Sequence, residues 1–209
     1  MKCENEFEKK YFAMGYDVVL GLDEAGRGPL AGPLVVAGVS FLKGFTHDEI
    51  YDSKKVSEKK REALYDVILE QAIYYKILII DEATIDRLNI YQATKSAMMD
   101  IAKDCEIADV VLSDAMPLDV ENKIVEPLVK GDQKSVNIAA ASILAKVTRD
   151  RIMYAYDKQY PEYGFAKHKG YPTKQHLLAL EKYGVLDIHR NSYGPVARLR
   201  QLKFDFDEK

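Results

Sequence analysis

The chain has 209 residues, 47% of them hydrophobic and 30% charged, with a formal net charge of −3. This composition fits a soluble globular protein with a sizeable core and argues against a passive nucleic-acid coat, which would be basic. The longest apolar runs fall far short of the ~18 residues of a membrane span, and the polar start MKCENEFEKK has no signal-peptide core. With Cys3 expected in a frayed terminus and Cys105 as the only other cysteine, a disulfide framework is not expected. A cytoplasmic protein with no membrane contact is.

Repeats, low-complexity tracts and Pro/Gly/Ser-rich linkers are absent, so a single domain over 1–209 is expected, with 1–16 and 204–209 as terminal extensions. DVVLGLD (17–23) and PLVVAGVSFL (33–42) read as strands, joined by a spacer too short for a parallel crossover, and hence antiparallel. Ser57 is placed to cap a helix over EKKREALYDVILEQA, whose Leu64, Val67, Ile68 and Ala72 follow helical spacing. YYKILII (74–80) is a third strand, 89–104 is helical, DVVLSD (109–114) is a strand, and KIVEPLV (123–129) is a shorter one. A long helix covers 137–160, and another covers 173–184 with Gly184 as its stop. The fold class is therefore α/β: a mixed central sheet with helices on its faces and additional C-terminal helices.

Acids sit at the ends of these apolar segments: Asp23 and Glu24 after the first, Asp114 at the end of DVVLSD, and Asp132 after KIVEPLVKG. One aspartate after a strand is a turn or cap residue. Adjacent Asp23 and Glu24 are harder to dismiss, because neighbours in a strand point to opposite faces unless the strand ends or bulges there. Ligands collect beyond strand ends in open α/β sheets. Four carboxylates gathered there would repel one another without a cation. Oxygen donors without histidine or cysteine partners fit Mg²⁺ or Mn²⁺ and not zinc.

GRGPLAG follows at once. Pro29, Pro33 and the resumption of a strand rule out a dinucleotide fingerprint, and no Gly-Lys-Ser/Thr completes a phosphate-binding loop. A plain hairpin turn and a side-chain-poor loop approaching a ligand remain equally open. The basic segments 52–61 and 167–174 contrast with an acidic stretch over 81–126, and Lys55, Lys59 and Lys60 read as solvated. Lys146 and Arg149 share a helix face, although Asp150 could pair with Lys146. HKGY (168–171) mixes cation, flexibility and an aromatic ring, as nucleic-acid contacts often do. His168, His176 and His189 have no metal-like spacing and read as ordinary surface or core residues.

DEAGRG (23–28), DSKK (52–55), VLSD, KGD (130–132), AAASILAKVTRD (139–150) and HKGY occur in this order, and over about 17–200 the chain closely resembles bacterial ribonuclease HII. The resemblance implies a ribonuclease H-like fold and a divalent-metal endonuclease. Such an enzyme cuts RNA within RNA–DNA hybrids and incises DNA 5′ to an embedded ribonucleotide, leaving 3′-hydroxyl and 5′-phosphate ends. It implies Asp23, Glu24, Asp114 and Asp132 as catalytic residues, with Asp23, Glu24 and Asp114 holding Mg²⁺ or Mn²⁺, two ions during catalysis. Gly26, Arg27 and Gly28 would meet the 2′-hydroxyl, Tyr171 the sugar beyond the junction, and Lys54, Lys146 and Arg149 the phosphates. Hybrid duplexes and ribonucleotide-containing DNA are the implied partners, and a monomer is expected. The family commonly has Val-Asp-Gly at the third acid where this chain has Ser113-Asp114-Ala115. Its first sixteen residues are too few for the added N-terminal domain of ribonuclease HIII. The rival readings are a nuclease of the same fold that needs no ribonucleotide, a non-cutting hybrid binder, and a small-molecule phosphohydrolase.

Overall fold

A computed structural model describes Cys3 and residues 5–207, with side chains to residue 201. Its strands are β1 (Val19–Ala25), β2 (Leu34–Phe41), β3 (Ala72–Ile80), β4 (Val110–Asp114) and β5 (Ile124–Leu128). Its helices are α1 (Glu6–Ala13), α2 (Glu58–Gln71), α3 (Glu82–Leu88), α4 (Ile90–Asp104), α5 (Gly131–Lys134), α6 (Val136–Gln159), α7 (Phe165–His168), α8 (Lys174–Tyr183) and α9 (Gly194–Asp207). The strands form one sheet in the order β3-β2-β1-β4-β5. β1 and β2 are antiparallel, as their short spacer requires, while β1–β4 and β4–β5 are parallel. No helix is long and apolar enough to cross a membrane among the described residues.

Chain contacts divide the molecule into two compact units. The first holds 1–25, 35–78 and 94–147. Here Gly21 of β1 lets α6 lie directly on the strand, since a Cβ would collide with the backbone of Asn137 and Ile138. On the opposite face Leu22 pairs with Gly38, whose missing side chain admits Ile101 of α4. The sheet is thus covered on both sides. Ser135 caps α6 by accepting the Ile138 N–H at 3.1 Å and donates its own proton to Glu8 of α1 at 2.6 Å. Tyr11 of α1 donates to Glu126 of β5 at 2.6 Å and packs with Val19, Val110, Leu112 and Ile138. The stretch expected as an N-terminal extension therefore contains a helix whose Glu8 accepts hydrogen bonds from Ser135 and the Asn137 N–H at the start of α6. Cys3 is buried, contrary to the expected frayed terminus, and neither cysteine is in a disulfide.

The second unit holds 26–34, 79–93 and 148–209. Its core gathers Leu30, Ala31, Met153, Tyr163, Phe165, Leu180 and Val196. The short helix α3 was not anticipated. Its cap is Asp81, which accepts the Thr84 N–H at 2.7 Å, and its stop is Asn89 at φ 63°. At seven residues it shows too little periodicity to be read from sequence. Gly184 ends α8 at φ 89°, as expected. Of the expected 204–209 extension, residues 204–207 belong to α9, and 208–209 lie outside the described residues.

Candidate active site

In the first unit, the parallel register of Leu22 with Ser113 brings Asp23-Glu24 and Asp114 to the same end of adjacent strands. Asp114 in turn pairs with Leu128 of β5, after which the chain turns through Lys130 (φ 58°) into α5, carrying Asp132. Asp114 accepts the Gly131 N–H at 2.8 Å, which ties the third acid to the fourth. The C-terminal ends of β1 and β4, with the turn that follows β5, thus bring together the four acids singled out from sequence.

Asp23 is 5% exposed and lies on the same strand face as Gly21, toward α6. Burial, then the charges of Glu24 and Asp114, push its carboxyl well above the usual range. Two donors oppose this: the Glu24 N–H at 2.7 Å and the Ser142 hydroxyl. Ser142 also lies 2.8 Å from the hydroxyl of Ser53. A hydroxyl has one proton, so a Ser142 that donates to Asp23 must accept from Ser53. Sequence reasoning passed over both serines. The available signal was Ser142 itself, the sole polar residue in the run IAAASILA (138–145).

Asp132 is raised to about 6 by burial first, then by the charges of Asp52 and Asp114, with Lys54 opposing. Asp52 is thus a further carboxylate at this site that sequence reasoning left unassigned. It accepts the Lys54 N–H at 3.0 Å and the Gln133 amide at 3.3 Å, folding the DSKK turn against α5. Lys54 is exposed, and Lys146 is half-buried one turn beyond Ser142 on α6.

The donor set at these strand ends is all carboxylate, and its mutual repulsion is what a hard divalent cation would relieve, so these residues fit such an ion. Among the described residues no three His, Cys, Asp or Glu side chains converge closely enough to coordinate one.

The glycine loop belongs to the second unit, where two buried arginines organise it. Arg190 donates to the carbonyls of Gly26 (2.7 Å), Arg27 (3.2 Å) and Gly32 (2.8 and 3.0 Å), and Tyr193 donates to Arg27 O at 2.6 Å. A trans peptide sets its N–H opposite its C=O, and no cis bond occurs among the described residues. Turning the Gly26 and Arg27 carbonyls inward therefore aims the N–H groups of Arg27 and Gly28, both exposed, outward. Gly26 adopts φ 104°, and a Cβ there would strike the Arg149 side chain. A Cβ on Gly28 would lie 3.3 Å from the Tyr171 ring, so that ring, half exposed, flanks the outward N–H groups.

Arg149 corrects an expectation. It does not offer its guanidinium to phosphates. It is 2% exposed and donates to the carbonyls of Pro33 (2.9 Å), Lys169 (2.9 Å) and Ala31 (3.1 Å). Burial, with the neighbouring Arg190 charge second, lowers it to about 10. Arg190 was missed because a single arginine near the C-terminus carries no motif.

A family model described as Ribonuclease HII matches residues 20–196. A protein of that name from Enterococcus faecalis is 51% identical over 193 residues, 92% of this chain and 75% of the relative. The ribonuclease H2 of Pyrococcus horikoshii superposes with a TM-score of 0.74 at 24% identity, covering 92% of this chain and all of the other. A ribonuclease HIII solved in complex with Mn²⁺ superposes at 0.62 and 17% identity, covering 88% of this chain and 70% of that one.

Proposed function

The chain belongs to the ribonuclease HII family and is a ribonuclease H endonuclease, and we propose that it nicks DNA on the 5′ side of an embedded ribonucleotide as well as cutting RNA in RNA–DNA hybrids, leaving 3′-hydroxyl and 5′-phosphate ends. The observation that carries this reading is the parallel β1–β4 register, which brings Asp23-Glu24 and Asp114 to the same end of adjacent strands, close enough for both neighbours' charges to act on Asp23.

Asp23, Glu24 and Asp114 would hold the divalent cation, Mg²⁺ or Mn²⁺. When bound, such ions neutralise the developing charge on the attacking and leaving oxygens of the phosphate. Ser53 and Ser142 orient Asp23. Asp132, backed by Asp52, orients water at the reacting phosphate. Lys54 and Lys146 bind flanking phosphates.

Specificity rests on the 2′-hydroxyl. The outward N–H groups of Arg27 and Gly28 donate to it, and a site built around that hydroxyl loses those bonds with a deoxyribose. Tyr171 packs on the sugar that follows, where a deoxyribose fits and a hydroxyl crowds. We further propose that the chain acts as a cytoplasmic monomer.

The test is a labelled DNA duplex with one ribonucleotide, beside an all-DNA control, in Mg²⁺, Mn²⁺ or EDTA. A single metal-dependent nick 5′ to the ribonucleotide, absent from the control, is expected. Equal cutting of both duplexes, or none, would overturn the reading.

A further inference from the structure

His168, His176 and His189 lie buried together in the second unit, outside the chemistry described above. His176 stacks on His168 with ring centroids 4.6 Å apart, and its Nε2 lies 3.1 Å from Nε2 of His189. Two neutral ring nitrogens at that distance share one proton, so one ring donates and the other accepts.

The outer nitrogens decide the direction. Nδ1 of His189 accepts the Leu186 N–H at 2.9 Å, which puts the His189 proton on Nε2. Nε2 of His176 then accepts, and its proton sits on Nδ1, 3.0 Å from the carbonyl oxygen of Tyr171. This direction makes three bonds. In the reverse direction, His189 would donate to the Leu186 carbonyl at 3.2 Å, the Leu186 N–H would lose its acceptor, and a His176 lone pair would face the Tyr171 carbonyl.

The chain ends on a backbone that is pinned on every side. The Tyr171 N–H donates to His168 O at 2.9 Å, and the Gly170 N–H donates to His168 Nδ1 at 3.2 Å. The Gly170 carbonyl accepts the Leu30 N–H at 2.8 Å, and Arg149 holds the Lys169 carbonyl. The same bonds therefore register Tyr171 against the glycine loop.

We propose that His176 and His189 form a neutral, one-way hydrogen-bond relay that fixes the backbone of Tyr171, making both of them positioning residues for the sugar-reading tyrosine. The inference rests on the role given to Tyr171 above. Protonating His176 would set its Nε2–H head to head with that of His189 and break the relay, and protonating His189 would set its Nδ1–H against the Leu186 N–H that it accepts.

The surroundings oppose that protonation. His168 faces His176, Arg200 of α9 faces His189, and the rings of Tyr163 and Phe165 close on the pair. His168 in turn faces Asp157 and Lys169. Burial first holds both rings at about 4, helped at His176 by His168 and at His189 by His176 and then Arg200, against the bonds to Tyr171 and Leu186, which raise them. An ordinary histidine is protonated in the unfolded chain below about 6.5, so the relay's stability is lost as pH falls from there toward 4.

Two measurements on the full chain test this. Nitrogen-15 histidine spectra should show His176 as the Nδ1–H tautomer and His189 as the Nε2–H tautomer, both neutral at pH 6. The opposite tautomers, or a charged ring at pH 6, would overturn the relay without reference to activity. Separately, the ratio of single-ribonucleotide nicking to hybrid cutting should fall about tenfold in His176→Phe. His176→Asn, which keeps a donor at the Nδ1 position, should recover much of it, and Tyr171→Ala should lower the ratio at least as far. Because both substrates use the same acids, the ratio is blind to their protonation and should also fall below pH 5 in the unaltered protein. If His176→Phe slows both substrates equally while Tyr171→Ala shifts the ratio, the positioning role fails. If Tyr171→Ala leaves the ratio unchanged, the reading of Tyr171 fails and the positioning role with it.

Discussion

Asp23 and Arg190 are both buried charged side chains, and they are held in opposite ways. Asp23 has two like charges beside it and two donors to offset them. Arg190, fully buried, has three backbone carbonyls and the Tyr193 hydroxyl around it. The acids at the strand ends therefore repel one another as they stand, whereas the arginine-held loop has its partners in place before any substrate arrives. Preorganised donors cost nothing to arrange at the moment of binding. Clustered acids bind a cation strongly because the unneutralised cluster is unfavourable. Substitutions in the two regions should accordingly move stability in opposite directions.

The largest effect is expected from Asp23→Asn. The amide keeps the shape and an acceptor for the Glu24 N–H but removes the charge. Nicking should fall by about 10³-fold or more, some 4 kcal/mol in the barrier, while thermal stability in EDTA rises by about 1 kcal/mol. Unchanged turnover would remove the metal role. A destabilised variant would mean that the Asp23 charge is satisfied as it stands, and the contrast with Arg190 would collapse.

Arg190→Met comes next, with the sign reversed. It strands the carbonyls of Gly26 and Gly32, while Arg27 O keeps the Tyr193 hydroxyl. At ~1–3 kcal/mol for each unsatisfied group that cannot reach water, a loss of about 3 kcal/mol is expected. That is a drop of roughly 6–12 °C in melting temperature for a chain of this size. Lysine should not rescue it, because one ammonium cannot reproduce the planar fork that serves several carbonyls. A melting temperature equal to the unaltered protein would show that water replaces the guanidinium and that the loop is not held from within.

These two regions were unequally legible in the sequence. The acids announced themselves because strand ends, apolar runs and carboxylates are all local signals. The parallel pairing that unites Asp23 with Asp114 follows from strand order, which the alternation of α and β only bounds. The loop was readable as unusual, but what shapes it was not. Arg190 lies 164 residues beyond the carbonyl of Gly26 to which it donates. No periodicity encodes such a bond, and Arg149, expected as a phosphate contact on the helix face it shares with Lys146, is buried against backbone carbonyls. His176 and His189 were passed over for the same reason. Their spacing matches no motif, because the proton shared between their rings is a property of burial and not of sequence distance. Ser142 lay between: a lone hydroxyl in a run of alanine, isoleucine and leucine marks a buried partner without naming Asp23 as that partner.

The smallest effect, Ala115→Gly, sharpens the comparison at the level of backbone. Within the arginine-held loop the positive-φ positions are Gly26 and Gly32. Beside the acids they are Ala115 (φ 51°), directly after Asp114, and Lys130 (φ 58°), two residues before Asp132. A left-handed conformation costs a residue with a Cβ roughly 1–2 kcal/mol. Ala115 is kept there by its N–H to Leu128 O at 3.0 Å and by the Ser113 hydroxyl on Met116 O at 2.5 Å, bonds that also hold Asp114 at the strand end. Glycine would relieve the strain while adding freedom to the unfolded chain, which offsets part of the gain. A net rise of about 0.5–1 kcal/mol, or roughly 1–4 °C in melting temperature, is expected, with nicking within about twofold because neither bond involves the methyl group. A lower melting temperature would show that the turn after Asp114 is relaxed as alanine. The energy stored among the acids would then be electrostatic alone, and a cation would be sufficient to release it.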